Sequence, residues 1–310
     1  MDYRAFIEEQ IASLRQTVGD GLAINALSGG VDSSVVTAIG HRALGDRLKT
    51  VFLDNALMRE GEPERVVKTF ADLGIPVELV DARQEFLGAL AGLKDPEAKR
   101  NAITTTFYRN VFSRLVRETG AKYLLHGTIL TDIEETVAGI KRQHNILSQL
   151  GIDPEKEYGY QVLEPLKTLR KDGVREVARL LGLPACITER IPFPGPALAT
   201  RIVGEVTPER LETVRAATAI VEEELDDTDV FQYLAVLLED KATGIRNGKR
   251  EFGQIIVVRC VDSVDAREAA VVQLPWPKLL HIGERITALK GVNRCLYDLT
   301  PKPPATIEYV

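Results

Sequence analysis

Cysteine is scarce: Cys186, Cys260 and Cys295 are the only three in 310 residues. They are odd in number, widely spaced and outside any CxxC or zinc-ligand pattern, which argues against a disulfide framework and a thiolate metal centre. Each lies among apolar residues ("PACIT", "VVRCV", "NRCLY"), so buried free thiols in a reducing, cytoplasmic setting are expected. A polybasic run is also missing. Acids and bases are interspersed at a net charge of −6, which removes the electrostatic basis for nonspecific nucleic-acid binding. No apolar stretch reaches the roughly 18 residues that a membrane span needs. Met1–Arg15 carries charges throughout, where a secretory signal would be apolar. Internal repeats and low-complexity tracts are lacking too. What the chain does have is 45% hydrophobic residues, enough for a large core and for two domains rather than one.

Strand-like and helix-like segments alternate through the first half. Ile7, Ile11, Leu14 and Val18 repeat at helical spacing. "LAINAL" reads as a buried strand, followed by a helix marked by Val35, Val36 and Ile39. "KTVFLD" (49–54) is a second strand, Val66, Val67, Phe70 and Leu73 form the next helix face, and "PVELVD" (76–81) is a third strand. A long helical stretch carries Ile103, Phe107, Val111 and Leu115, and "KYLLHG" (122–127) is a fourth strand. Such alternation implies β-α-β units and a parallel sheet covered on both faces. Ligands of such sheets bind at the carboxyl ends of the strands, so "LSGGVDSS", "LDNALMR" and "LHGTILTD" should converge on one crevice. Residues 131–160 break the rhythm with a polar, glycine-bearing excursion, read as a lid. "LRKDGVREVARLLGLP" resumes as a helix.

"IPFPGPALATR" (191–201) is too rich in proline for a helix or a central strand and sets the domain boundary, giving domains 1–190 and 191–310. Beyond it come a helix from about Pro208 to Glu224, strands in "FQYLAVLL" and "GQIIVVRCV", a helix near Pro277–Leu289, and strands in "NRCLYDL" and "ATIEYV". Without strict alternation, this half reads as a small α+β domain.

The octet "LSGGVDSS" has the makings of an anion site. A strand ends, glycines turn the chain, and a helix begins with its free N–H groups outward. Gly29 and Gly30 allow close backbone approach, and Ser28, Ser33 and Ser34 offer hydroxyls. Asp32 repels a bare anion and makes sense beside a phosphate that brings a metal ion. The plain alternative is a glycine turn with a Ser/Asp helix cap. Lys171 and Asp172 could likewise be a solvated helix start, Lys141 a surface lysine, and Glu308 an exposed terminal residue. His126 reads as a satisfied polar residue, whereas His144 suits a role in the lid.

Taken together, these segments resemble the ATP-pyrophosphatase part of GMP synthase in its separate-subunit form, from about residue 20 to the C-terminus. "LSGGVDSS" is similar to the PP-loop, which many enzymes share. "GLKDPEAKRNAI", "LEPLKTLRKDGVREVARLLGLP", "PFPGPALATRIVGEVTPERL" and "GVNRCLYDLTPKPPATIEYV" follow in the family's order. The resemblance implies an α/β fold: a parallel-sheet, adenine nucleotide alpha hydrolase-like (PP-loop) domain followed by a small α+β dimerisation domain. It implies ATP and Mg²⁺ as cofactors, with Ser28, Gly29, Gly30, Val31, Asp32, Ser33, Ser34, Leu53, Gly127 and Thr128 at the nucleotide and Asp32 on the metal. Asp32, Lys141, Lys171, Asp172 and the acidic pair Asp132 and Glu135 would serve catalysis. Pro194, Gly195, Pro196, Lys302, Ile307 and Glu308 would meet the acceptor, xanthosine 5′-monophosphate. The implied partners are a second copy of the chain and a separate glutaminase supplying ammonia. The chain starts almost directly with its ATP domain, and no cysteine sits on a nucleophile elbow.

Four internal positions depart from the family pattern, as do the last residues, "IEYV" where "IEWE" or "IEFE" is usual. Ala56 stands where a glycine is usual, His126 replaces a glutamine, Gln143 a histidine, and Ala197 a glycine. Three other readings therefore stand beside the first. One is a paralogue that aminates or thiolates a different carbonyl compound. Another is a nucleotide sensor that binds ATP without releasing pyrophosphate. The third, a tRNA thiolase, is disfavoured by the missing cysteine pairs and basic surface.

Overall fold

The computed structural model describes residues 1–137, 159–264 and 266–310, and within the helix that ends at Val137 the side chains of residues 135–137 are outside the description. Lys141, Gln143, His144 and most of the expected lid therefore lie outside the described residues.

The chain divides into two compact units. The first comprises residues 1–54, 63–82 and 104–190, and the second comprises 55–62, 83–103 and 191–310. In the first unit, α1 (Tyr3–Val18) starts at Asp2, whose carboxylate accepts from the amides of Arg4 and Ala5. It ends at Gly19 and buries Ile7, Ile11, Leu14 and Val18 as their spacing predicts. There follow β1 (Ala23–Ala26), α2 (Val31–Leu44), β2 (Leu48–Asp54), α3 (Glu62–Asp72) and β3 (Glu78–Asp81). Next along the chain are α4 (Arg83–Leu90) and α5 (Pro96–Thr105), which up to Ile103 belong to the second unit. The first unit resumes with α6 (Ser113–Thr119), β4 (Tyr123–Leu125), α7 (Leu130–Val137), β5 (Gln161–Leu163), α8 (Lys171–Leu180) and α9 (Ala185–Thr188). The described strands of this unit form one parallel sheet in the order β3-β2-β1-β4-β5. The order reverses between β1 and β4, which places a ligand crevice at their carboxyl ends.

The stretch between α5 and α6, Thr106–Phe112, is π-helical. A strict four-residue repeat from Ile103 to Leu115 drifts around a 3.6-residue helix, and the wider π turn absorbs that drift. Ile103, Val111 and Leu115 are accordingly all buried. Two expectations need correction. Leu73 falls just past the end of α3 and is exposed, so it is no part of that helix's apolar face. Three residues, "QVL", make a fifth strand that sequence periodicity is too short to reveal.

The second unit is built on α10 (Pro208–Leu225), β6 (Gln232–Arg246), β7 (Lys249–Asp262), β8 (Ala270–Val271), α11 (Trp276–Ala288) and β9 (Val292–Tyr297). β6 and β7 form a long hairpin through Asn247–Gly248, both at positive φ, as a type I′ turn requires. β9 adds to β7 in parallel and β8 in antiparallel fashion. The "ATIEYV" segment forms no strand. It follows the irregular "PKPP" stretch, and only Ile307 of its side chains is buried, packing with Leu234, Val236, Val257, Val261 and Ala269. The cysteines also need correction: Cys260 is buried, Cys295 half-buried and Cys186 exposed on the short α9.

Segment 55–62 belongs to the second unit through specific bonds. Leu198 N–H donates to the Leu57 carbonyl, Arg215 reaches the carbonyls of Ala56 and Met58, and Arg59 pairs with Glu222. Here Ala56 and Ala197 both adopt left-handed backbone, with φ of 65° and 52°. A Cβ in this region costs about 1–2 kcal/mol. Ala56→Gly and Ala197→Gly should each raise stability by up to about 1 kcal/mol, once the added freedom of the unfolded chain is subtracted. Thermal or denaturant unfolding checks this, and a lower midpoint for either variant would contradict the left-handed conformation there.

Candidate functional site

The site grows from the end of β1. Beneath it, buried Asn25 donates to Thr37 Oγ1 at 2.7 Å and accepts from Thr50 Oγ1 at 2.7 Å. Thr37 in turn donates to the Ser33 carbonyl at 2.8 Å. This ladder pins the start of α2 to β1 and β2. Above it the chain turns at Gly29 (φ 77°), and Gly30 caps α2 without a side-chain bond. Ser33 Oγ donates to the Gly30 carbonyl at 3.0 Å. With its one proton used there, it accepts from the Ser28 amide at 3.2 Å and from the Ser28 hydroxyl at 2.9 Å. Ser28 and Ser33 thus shape the loop, while Val31 and Ser34 are buried and the Ser34 hydroxyl has no partner among the described residues.

Asp32, in the first turn of α2, meets Lys171, the first residue of α8, with Nζ 2.9 and 2.7 Å from its carboxylate oxygens. The sequence puts these residues 139 positions apart, and the fold joins them. Asp172 is exposed in the first turn of α8, where a carboxylate favours the helix dipole. Gly127, just after β4, comes against the same turn: a Cβ there would lie 3.3 Å from the Ser33 amide nitrogen and 3.4 Å from the Asp32 carbonyl carbon. Thr128 is nearly buried. Its hydroxyl donates to Glu164 at 2.6 Å and is 2.9 Å from His126 Nδ1, and His126 Nε2 is 3.4 Å from the Tyr108 hydroxyl. Burial pushes the Tyr108 phenol up to about 12, so it stays protonated. Asp132 accepts from the Ile129 amide at the start of α7, which also carries Glu135. Leu53, at the carboxyl end of β2, is 5% exposed and meets solvent only at an edge.

In the second unit, the Pro194 carbonyl accepts from Ala197 N–H, and a Cβ on Gly195 would meet nothing within 4 Å. Glu308 is held by Arg201, with Nε and Nη2 at 3.3 and 3.2 Å, and by Gln232 Nε2 at 2.7 Å. Thr200 Oγ1 is a further 3.5 Å from Oε2, but its single proton goes to the Ala197 carbonyl at 2.9 Å. One lone-pair position on Glu308 Oε2 is thereby left. Lys302 Nζ donates to the Ala266 carbonyl at 2.7 Å. Buried Arg259 ties Asp298 to the carbonyls of Thr300 and Thr306, and Tyr309 donates to Asp298. Burial pushes the Asp298 carboxyl up, but hydrogen bonds from Thr300 and Tyr309 and the Arg259 charge hold it below the usual carboxylate range.

Several residues at these places escape sequence reading. Arg190 donates to the Gly29 carbonyl at 2.8 Å, and the guanidinium carbons of Arg59 and Arg201 lie 4.7 and 4.8 Å from the centre of the Phe193 ring. Gln232, Arg201 and Arg259 sit in apolar strands or turns, outside any binding motif. Their only signal is a polar side chain in a segment otherwise patterned for burial.

Residues 219–309 match the family described as GMP synthase C terminal domain. Over all 310 residues the chain is 52% identical to a protein of Archaeoglobus fulgidus named as one of the subunits of glutamine-hydrolyzing GMP synthase, covering 100% of both chains. The same-named proteins of Methanopyrus kandleri and Pyrococcus horikoshii are 48% and 47% identical, covering 99% of both chains and 100% of both chains respectively. Among solved structures, an NH3-dependent NAD synthetase from Campylobacter jejuni is similar at 16% identity and a TM-score of 0.48, covering 61% of this chain and 78% of that one. With the glycine turn, its lysine–aspartate pair and the "KPPATIE" end all on one full-length alignment, the chain belongs to the family of GMP synthase subunits that these relatives represent.

Proposed function

We propose that this chain is the ATP-consuming synthetase of a two-chain GMP synthase, a ligase acting in the cytoplasm. In this reaction the purine carbonyl oxygen of xanthosine 5′-monophosphate attacks the α-phosphorus of ATP. Pyrophosphate leaves, and ammonia then displaces AMP from the adenylated purine. The observation that carries the reading is the Asp32–Lys171 pair beside the Gly29–Gly30 turn and the helix N-terminus. Amides of the α2 start favour the pyrophosphate oxygens. Lys171 supplies a point charge to the same group, and Arg190 braces the turn through the Gly29 carbonyl. Lys141, from the lid, would add a second charge.

A magnesium ion brought by the triphosphate keeps several waters and needs only one or two carboxylates. Asp32 fits that demand, and no cage of three or more His, Cys, Asp or Glu side chains exists among the described residues. When bound, the ion supplies charge neutralisation on the phosphates.

Ammonia comes from elsewhere, because the thiols suit no glutaminase. Burial pushes Cys260 and Cys295 up to about 11, so both remain neutral thiols at physiological pH. Cys186 lies on the one-turn helix α9, without the small-residue elbow a nucleophile needs. The second copy is proposed to dock on the groove between α11 and β9, where Trp276, Leu280 and Leu296 are exposed and Glu284 and Arg294 offer a self-complementary charge pair.

Product analysis tests the chemistry: AMP and pyrophosphate are expected, and ADP with orthophosphate would sink the reading. Asp32→Ala should lower turnover by at least about a hundredfold. It should leave the unfolding midpoint within about 2 °C, because a part-exposed pair contributes at most ~1 kcal/mol. Wild-type turnover by that variant would show Asp32 to be misassigned.

With ammonium salts, the purified chain should aminate its acceptor faster as pH rises and free ammonia increases. It should ignore glutamine until a glutaminase is added. Glutamine-dependent turnover by this chain alone, lost on alkylating a cysteine, would contradict this. Finally, Leu280→Asp should shift a sedimenting dimer toward monomer. A wild-type chain that sediments as a monomer at micromolar concentration would remove the pairing.

A further inference from the structure

Lys99 is 1% exposed, deep in the second unit, and no acid among the described residues neutralises it directly. A buried lysine is costly unless its charge is met by hydrogen-bond partners. Its three protons go instead to three main-chain carbonyls: Ile202 at 2.7 Å, Gly204 at 3.1 Å and Ala199 at 3.3 Å. These carbonyls belong to a stretch that leaves the 3₁₀ turn Ala197–Arg201 and passes through Gly204 at φ 90°. Such backbone offers itself few amide donors, so without Lys99 it would bury unpaired acceptors. Two residues within the clasp, Thr200 and Arg201, face Glu308, and the next residue on α5, Arg100, donates to the main-chain oxygen of Val310 at 2.8 Å.

We propose that Lys99 is a positioning residue for the acceptor nucleotide: its ammonium clasps the Ala199–Gly204 backbone and so holds Arg201 and Glu308 in their binding orientation. This rests on the reading of Glu308 as an acceptor-binding group.

An ammonium has three donors and a neutral amine two, so deprotonation releases one carbonyl and turns a lone pair on it. Burial and the neighbouring Arg210 charge lower the Lys99 amine to about 8, against the opposing pull of Asp95 and Glu239. Glu239 is itself paired with Lys94, and Glu205, which accepts from the Gly92 amide, acts on Arg210. Because the shift is downward, the ammonium is present below about 8 and lost above it in the folded chain. The clasp should therefore be intact at neutral pH and loosened in alkali. The acceptor's phosphate, with its second pKa about 6, is already about nine-tenths doubly ionised at pH 7 and changes little above it.

The experiment measures equilibrium binding of xanthosine 5′-monophosphate and of ATP to the whole chain at pH 7 and at about pH 9.5. Binding replaces turnover as the readout because free ammonia changes over the same interval. Wild-type affinity for the acceptor should fall about five- to tenfold at the higher pH, the scale of one ordinary hydrogen bond, with ATP affinity little changed. Lys99→Met should bind the acceptor about tenfold more weakly at neutral pH and lose the pH dependence, again sparing ATP. In steady state it should raise KM for the acceptor and leave kcat near wild type. Acceptor binding by the wild type that does not change with pH would overturn the proposal, and needs no variant to fold. Equal loss of both nucleotides in Lys99→Met would mark a general structural role and would overturn it as well. Glu308→Gln serves as the separate check. Unchanged acceptor affinity there would remove the underlying reading, whereas weakened binding there with an unaffected Lys99→Met would reject the lysine alone.

Discussion

Backbone-to-backbone approach between the exit of β4 and the first turn of α2 is the constraint on which the first unit's chemistry depends. The strand order reverses at this point, so chains leaving β1 and β4 diverge and open a crevice. Gly127 closes its floor, since any side chain there would press on the Ser33 amide and the Asp32 carbonyl. The Asn25–Thr37–Thr50 ladder fixes the same turn from below. Held from two sides, the start of α2 keeps its amides at the mouth of the crevice, and the Asp32 carboxylate stays where Lys171 reaches it. Preorganisation of this kind is what makes helix dipoles and point charges effective, because no reorganisation is needed as charge develops.

The second unit solves a different problem. The segments proposed to meet the acceptor are irregular, and irregular backbone buries carbonyls that no neighbouring strand can pair. Long cationic side chains meet them. Arg210 binds the carbonyls of Val203, Glu205 and Leu238, Arg215 those of Ala56 and Met58, and Arg259 those of Thr300 and Thr306. Arginine suits this work because its planar fork serves several acceptors at once and keeps its charge when buried. Lys99 does the same for Ala199–Gly204, but with a group whose proton can be lost.

The glycine turn was legible because its signal is local: two glycines, small hydroxyl residues and an aspartate between a strand and a helix. The parallel sheet was legible from alternation, except for β5, whose three residues fall short of the roughly four that a strand pattern needs. The Asn247–Gly248 turn is a strong hairpin signal, and both strands it joins run longer than their apolar stretches suggest. Pairing of Asp32 with Lys171, or of Glu308 with Arg201 and Gln232, depends on tertiary placement and leaves no trace in spacing. Ala56 and Ala197 were visible as departures from a family pattern. Their left-handed φ values give the physical reason a glycine suits those positions.

The second unit draws on three stretches of chain, and that has a consequence for its birth on the ribosome. Phe86, Leu90 and Ile103 are buried in the finished protein, yet the bulk of their unit begins only at Ile191. At roughly 5–20 residues per second, these side chains wait on the order of ten seconds for their partners to be made. During that interval the parallel sheet of the first unit can assemble, while the apolar faces of α4 and α5 stay open to passing chaperones. A pause in synthesis before the proline-rich stretch at 191–196 would lengthen that exposure, so the pace of translation there bears on how much of the enzyme reaches its native state.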